Sequence, residues 1–121
     1  MTYRVIQWAT GGVGRAAIEG VLSHPELELA GVWVHSAEKD GRDVGELLGR
    51  EKLGIQATRD VDALLALGAD CVFYSPVMAN RPELVRILEA GVNVVTPLNW
   101  FYRGDRKWQD LEEACHLRSP R

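Results

Sequence analysis

The amino-acid sequence predicts an α/β fold, a doubly wound parallel sheet of about five strands. Three observations carry that prediction. Short apolar runs alternate with amphipathic segments, the rhythm of strand–helix–strand crossovers. Two of the runs, Leu29 to Val34 and Cys71 to Tyr74, are almost continuously apolar, as strands covered on both faces must be. The apolar run that opens the chain, Tyr3 to Ala9, enters a glycine cluster, Gly11, Gly12 and Gly14, where an amphipathic segment begins. With strands numbered in sequence, the expected order is 3-2-1-4-5.

Each element has a local cause. The first strand is expected from Tyr3 to Ala9. A helix follows from about Val13 to Ser23, with Val13, Ala17, Ile18, Val21 and Leu22 on one face. His24-Pro25 closes it, because the residue before a proline is pushed out of the helical region. The second strand begins near Leu27 and has Leu29 to Val34 as its apolar run. From His35 to Gly54 the pattern loosens. Asp40-Gly41 marks a turn, and Asp43 with Glu46 forms a capping box for a short helix through Leu48, ended by Gly49. Gly54 to Thr58 is expected as a short third strand. Asp60 caps a helix from Val61 to Leu67, stopped by Gly68. After the fourth strand, Cys71 to Tyr74, Asn80 and Glu83 cap a helix that turns Leu84, Ile87 and Leu88 inward and ends at Gly91. Val92 to Thr96 is the fifth strand. From Asp105 a last amphipathic helix puts Trp108, Leu111 and Cys115 on one stripe.

At 121 residues the chain suffices for one domain with a real core. Apolar residues at 46% and charged residues at 26% are ordinary globular values. A net charge of −3 gives no electrostatic ground for a nucleic-acid partner. No apolar run approaches the roughly 20 residues that span a bilayer. The opening Met-Thr-Tyr-Arg lacks the basic and then apolar pattern of a secretory signal. A cytoplasmic protein with neither nucleic-acid nor membrane partner is expected. Cys71 and Cys115 read as small buried hydrophobes rather than as a disulfide or a nucleophile. His24, His35 and His116 have no metal-ligand spacing with them, so no metal site is expected.

The chemistry starts at the glycines. Gly12, Gly14 and Ala17 match the three positions of G-x-G-x-x-G/A, the phosphate-binding turn of Rossmann-type dinucleotide domains. In that register Gly12 permits the tight turn and Gly14 lets the backbone approach a pyrophosphate. Ala17 is small enough to seat the helix on the strand. The free N–H groups and positive dipole end of the new helix then face the phosphates. No Gly-Lys-Ser/Thr follows, which excludes a Walker-type loop. The plain alternative is a glycine-rich turn with no ligand; the strand–turn–helix context favours the nucleotide. Arg15 adds either a charge-assisted phosphate contact or only a solvated guanidinium.

Ligands bind such sheets beyond the carboxyl ends of the strands, where strand order reverses. An acid about 20 residues past the glycines would bind the ribose 2′-OH of NAD. This chain has His35-Ser36-Ala37-Glu38-Lys39 there instead. Imidazole, hydroxyl and ammonium suit a 2′-phosphate, so NADP is expected in preference to NAD, while Glu38 leaves NAD open. As a bland alternative, His35 and Lys39 are surface residues of a polar loop. Ser75-Pro76 and Thr96-Pro97 end the fourth and fifth strands. Ser75 and Thr96 suit hydrogen bonds to the nicotinamide ribose or ring, or serve only the turns. Asn99, Trp100, Phe101 and Tyr102 either cover the pocket or pack on a neighbouring domain. No acid–base pair with an orienting partner emerges, so no catalytic residue is assigned.

Val5-Ile6-Gln7-Trp8 leading to Gly11-Gly12-Val13-Gly14-Arg15 resembles the N-terminal domain of dihydrodipicolinate reductase-like proteins. The resemblance is strongest to the actinobacterial branch that includes 2,4-diaminopentanoate dehydrogenase-like enzymes. It continues through Trp33-Val34-His35-Ser36, Gly41-Arg42-Asp43-Val44-Gly45 and Asn93-Val94-Val95-Thr96, to about His116. It implies NAD(P)H-dependent reduction of an imine or oxidation of an amine. It also implies cofactor contacts at Gly11, Gly12, Val13, Gly14, Ser36 and the Ser75-Pro76 turn. Gly12 stands where the reductases' G-A-x-G-R loop has alanine, a change harmless to a backbone cradle.

The family continues into a substrate-binding, oligomerising domain. This chain has residues 1–116 as the dinucleotide domain and then a short tail, Leu117 to Arg121, unlike the family. The expectation is a truncated member that keeps cofactor binding and self-associates through the surface its second domain would cover. A stand-alone nucleotide-binding or regulatory module, and a non-functional truncated product, are the alternatives.

Overall fold

A computed structural model of the chain describes residues 2–98. The helix expected from Asp105, the aromatic run from Asn99 to Tyr102 and the tail from Leu117 lie outside the described residues. Four apolar runs become the strands β1 (Tyr3–Trp8), β2 (Leu27–Trp33), β3 (Cys71–Tyr74) and β4 (Asn93–Val95). All pair in parallel, in the order β2-β1-β3-β4. Between them run α1 (Gly12–Ser23), α2 (Val44–Leu47), α3 (Val61–Leu65) and α4 (Arg81–Glu89).

Successive residues of β1 face opposite sides of the sheet, and both sides are covered. Val5 packs with Ile18 and Val21 of α1 and with Leu29 and Val32 of β2. Ile6 and Trp8 pack the other way, with Leu64 of α3, Val72 and Tyr74 of β3, and Leu84 and Ile87 of α4. The sheet is therefore doubly wound. No described helix is long and apolar enough to cross a membrane.

The helix boundaries follow their caps. Asp60 Oδ1 accepts from Ala63 N–H at 3.1 Å, and Asn80 Oδ1 accepts from Glu83 N–H at 3.1 Å. Gly68 and Gly91 end the segments after α3 and α4 with φ of 67° and 84°, a left-handed exit that glycine takes without strain. Asp43 does more than the capping box foretold. Its carboxylate accepts from Gly45 N–H (2.8 Å), Leu53 N–H (2.9 Å) and Gly54 N–H (2.9 Å), while Glu46 pairs with Lys52 instead of closing the box. Leu53 N–H above all lowers the Asp43 pKa, and the N–H groups of Gly45 and Gly54 act the same way against a partial desolvation.

The expected third strand differs. Of Gly54 to Thr58 only Thr58 joins the sheet, by one parallel bridge to Trp33. Thr58 N–H donates to Val32 O at 3.0 Å, and Val34 N–H donates to Thr58 O at 3.1 Å. The residues before it spend their backbone groups on the loop ahead of α2. Val44 N–H reaches Ile55 O at 2.8 Å, and Ala57 N–H reaches Arg42 O at 2.8 Å. Groups paired there cannot also build a ladder on β2. Trp33 also pairs with Trp8, so Thr58 sits on the outer side of β2. The expected order survives with its third strand reduced to one residue.

Candidate functional site

From β1 the chain moves outward to β2 and then back across to β3, so strand order reverses at β1. Beyond the carboxyl ends of these three strands lies a cleft of about 590 Å³, where such folds bind ligands. Its walls come from Ala9 to Gly11 after β1, His35, Ser36 and Lys39 after β2, and Ser75 to Met78 after β3. Asn80 and Glu83 at the start of α4 close one side.

The turn after β1 is explained by three backbone positions. Ala9 leaves the strand with φ 85°, the one positive φ outside glycine among the described residues. Gly11 is the N-cap of α1, in an ordinary extended conformation, and a Cβ on it would meet nothing within 4 Å. Gly14 is buried, and a Cβ there would stand 2.2 Å from the Ala9 carbonyl oxygen. Tight turn, open approach and close helix–strand contact are the three tasks of the fingerprint. They fall at 9, 11 and 14 rather than at 12, 14 and 17. The register is displaced by three residues because alanine occupies the first glycine's place. Gly14 is thus a packing residue, not the open approach it was expected to be. A Cβ at Gly12 would meet only open space, and Ala17 is half-buried along α1.

The first turn of α1 is poised for an anion. Gly11 supplies no side-chain cap, and no acidic residue stands in the first turn. The N–H groups of Gly12, Val13 and Gly14 have no carbonyl four residues back within the helix. Val13, expected on the buried stripe, is 55% exposed instead, and Arg15 is exposed beside it.

Beneath the turn lies a residue that sequence reasoning passed over. Gln7 is fully buried, and its Nε2 donates to Ala9 O at 3.0 Å and to Ser75 Oγ at 2.8 Å. It therefore ties the turn after β1 to the turn after β3. The signal was available: a lone amide within the apolar stretch Val5 to Trp8 needs partners.

After β2, Lys39 Nζ donates to Thr10 Oγ1 at 3.1 Å, so the polar loop reaches across to the glycine turn. Ser36 Oγ accepts from Lys39 N–H at 3.3 Å and shapes that loop. His35 lies on the cleft wall, its ring 6.1 Å from that of Trp33. Ser75 and Pro76 also line the cleft. Thr96 does not. Its hydroxyl donates to Tyr74 O at 2.7 Å and accepts from Leu98 N–H at 3.2 Å, joining the end of β4 to that of β3.

An aromatic floor supports these turns. Trp8 and Trp33 stack with centroids 5.3 Å apart and planes 10° apart. Glu83 Oε1 accepts from Trp8 Nε1 at 2.9 Å and from Tyr74 OH at 3.2 Å. Burial pushes the Tyr74 phenol up to about 12; the Asn80 N–H it accepts opposes the shift, and the Glu83 charge adds to it.

A doubly wound parallel sheet whose glycine turn opens a helix at the switch point defines a Rossmann-type domain. The chain belongs to the family described as dihydrodipicolinate reductase, N-terminus, whose model matches residues 5–96. It is 41% identical over 98 residues to an amine dehydrogenase of Streptomyces virginiae, covering 76% of this chain and 27% of that protein. It is 34% identical over 97 residues to 4-hydroxy-tetrahydrodipicolinate reductase of Neisseria meningitidis serogroup C, covering 79% and 36%. Among solved structures, amine dehydrogenase from Mycobacterium smegmatis superposes with a TM-score of 0.69 at 25% identity, covering 79% of this chain and 30% of that one. The chain thus spans about a quarter to a third of the length of these relatives.

Proposed function

We propose that the cleft binds a nicotinamide dinucleotide, NADP(H) in preference to NAD(H), and that the domain serves an oxidoreductase of imine or amine substrates. One observation carries the binding: the turn from Ala9 to Gly14 has its tight bend, its open position and its packed glycine in fingerprint spacing, ahead of an uncapped helix. The pyrophosphate rests on the N–H groups of Gly12, Val13 and Gly14 with Gly11 open beside it, and Arg15 stands at the edge.

The preference for a 2′-phosphate rests on the loop after β2. Lys39 uses one donor on Thr10, which leaves two for a phosphate, and His35 and Ser36 add a ring N–H and a hydroxyl nearby. Ser75 and Pro76 line the path toward the nicotinamide half, and Thr96 holds the end of β4 beyond it. A bound reduced nicotinamide supplies a hydride; this chain's part is to hold and orient it. Imine or amine chemistry is supported by the relatives' names, an amine dehydrogenase and a reductase.

Titration of the purified chain, read by reduced-nicotinamide fluorescence, tests this. NADPH is expected to bind more tightly than NADH. Gly11→Val fills the open position and is expected to abolish binding of both while near-ultraviolet circular dichroism stays unchanged. Lys39→Ala is expected to weaken NADPH alone, by about tenfold, the worth of one charge-assisted hydrogen bond. Unaltered binding by Gly11→Val places the cradle elsewhere, and tighter NADH binding by the wild type removes the preference.

A further inference from the structure

Glu83 is the one carboxylate on the wall of the cleft among the described residues, and its placement is constrained. It projects from the first turn of α4, with both Trp8 Nε1 and Tyr74 OH donating to its Oε1. Those donors sit on two fully buried rings, and Trp8 is stacked on Trp33 besides. The carboxylate is therefore held by rigid groups rather than by its own rotamers. Oε2 takes neither donor. An ionised carboxylate only accepts hydrogen bonds, so this wall calls for a donor on whatever enters.

The walls beside it are apolar. Trp33 contributes from β2, and Val77 and Met78, 96% and 79% exposed, stand after β3. The Trp33 ring and two aliphatic side chains next to a fixed acceptor suit a planar base with an amine on its edge. Adenine presents such a donor at N6, whereas a 6-oxo base presents an acceptor there and carries its nearest ring donor one atom along, at N1.

We propose that Glu83 reads the base of the bound nucleotide, accepting a hydrogen bond from the 6-amino group of adenine and refusing a 6-carbonyl. This inference rests on the dinucleotide reading of the cleft. It gives Glu83 a task beyond holding Trp8 and Tyr74, and it makes the base, as well as the phosphates, a determinant of affinity.

The test compares NADPH with its hypoxanthine analogue, in which the 6-amino group is replaced by a carbonyl, on the full chain. The wild type is expected to bind the adenine form about tenfold more tightly or better. Glu83→Gln keeps an acceptor for Trp8 and Tyr74 and adds an amide donor for the carbonyl, so it is expected to close that gap by gaining the analogue. A second readout needs no variant. The Trp8 indole N–H resonance, which reports on Glu83, is expected to move with NADPH and much less with the analogue. Equal affinities in the wild type, an unchanged gap in folded Glu83→Gln, or equal displacement of the Trp8 resonance by both ligands would each overturn the inference while leaving dinucleotide binding intact. Failure of both ligands to bind would instead remove the underlying reading, and the inference with it.

Discussion

Ala9 holds a left-handed backbone without being glycine, and its neighbours keep it there. Its N–H donates to Trp33 O at 2.9 Å, and its carbonyl accepts from Gln7 Nε2. Such a residue carries strain that its surroundings must outweigh. Ala9→Gly is expected to raise stability by about 1 kcal/mol, seen as a later urea midpoint with an unchanged slope. Gly14→Ala acts on the other side of the same contact with the opposite sign. Its Cβ would meet the Ala9 carbonyl at 2.2 Å, so helix and strand must part, at a loss of about 2 kcal/mol. If the two changes shift the midpoint in the same direction, the account of this turn is wrong. The glycine cluster was legible in the sequence, but its register was not. Alanine at the first position hides the pattern, and Gly12-Val13-Gly14 offers a false match three residues on. Glu83 was legible only as a helix-start residue, since its second role depends on rings brought from β1 and β3.

At the scale of elements, the loop from Asp43 to Ala57 is built on one carboxylate. The backbone N–H groups of Leu53, Gly45, Gly54 and Glu46 converge on Asp43, and they hold its pKa below the ordinary value of 3.8. A depressed folded pKa means stabilisation that is full above the unfolded value and is lost as pH falls through the folded one. The loop is therefore expected to stay closed down to pH 3.8 and to loosen below it. Amide resonances of Gly45, Leu53 and Gly54 should titrate together with a midpoint under 3.8, and Asp43→Ala should remove that transition. Three unrelated midpoints would show that the carboxylate does not organise the loop. The same region shows where sequence reading stopped short. Asp43 was legible as a cap because its partner Gly45 is two residues away. Its bonds to Leu53 and Gly54, and the diversion of Ile55 and Ala57 onto the loop, are contacts between segments that no local pattern encodes. Strands β1 to β3 were legible because the buried part of each is a mostly apolar run; Gly54 to Thr58 has no such run.

For the whole molecule, the cleft gathers groups far apart along the chain. Thr10, Lys39, Ser75 and Glu83 come from four separate segments, linked across the strand ends by Lys39 to Thr10 and Gln7 to Ser75. A ligand lying across these turns binds the folded sheet and has no counterpart site in the unfolded chain. Its binding free energy is then added to stability, by about 2.7 kcal/mol when its concentration is 100 times its dissociation constant. The thermal midpoint is expected to climb with the logarithm of NADPH concentration, and to climb less with NADH at equal concentration. Gly11→Val should hold the midpoint flat in both, since the open position at the helix start is filled. Amide exchange should locate the effect: protection should rise together at residues 9–15, 35–39 and 75–78. The amides of the β2 edge near Glu28, remote from the cleft, should gain only what global stabilisation gives them. Protection confined to the glycine turn would mean that the ligand engages the first strand end alone, and that the loops after β2 and β3 do not join in holding it.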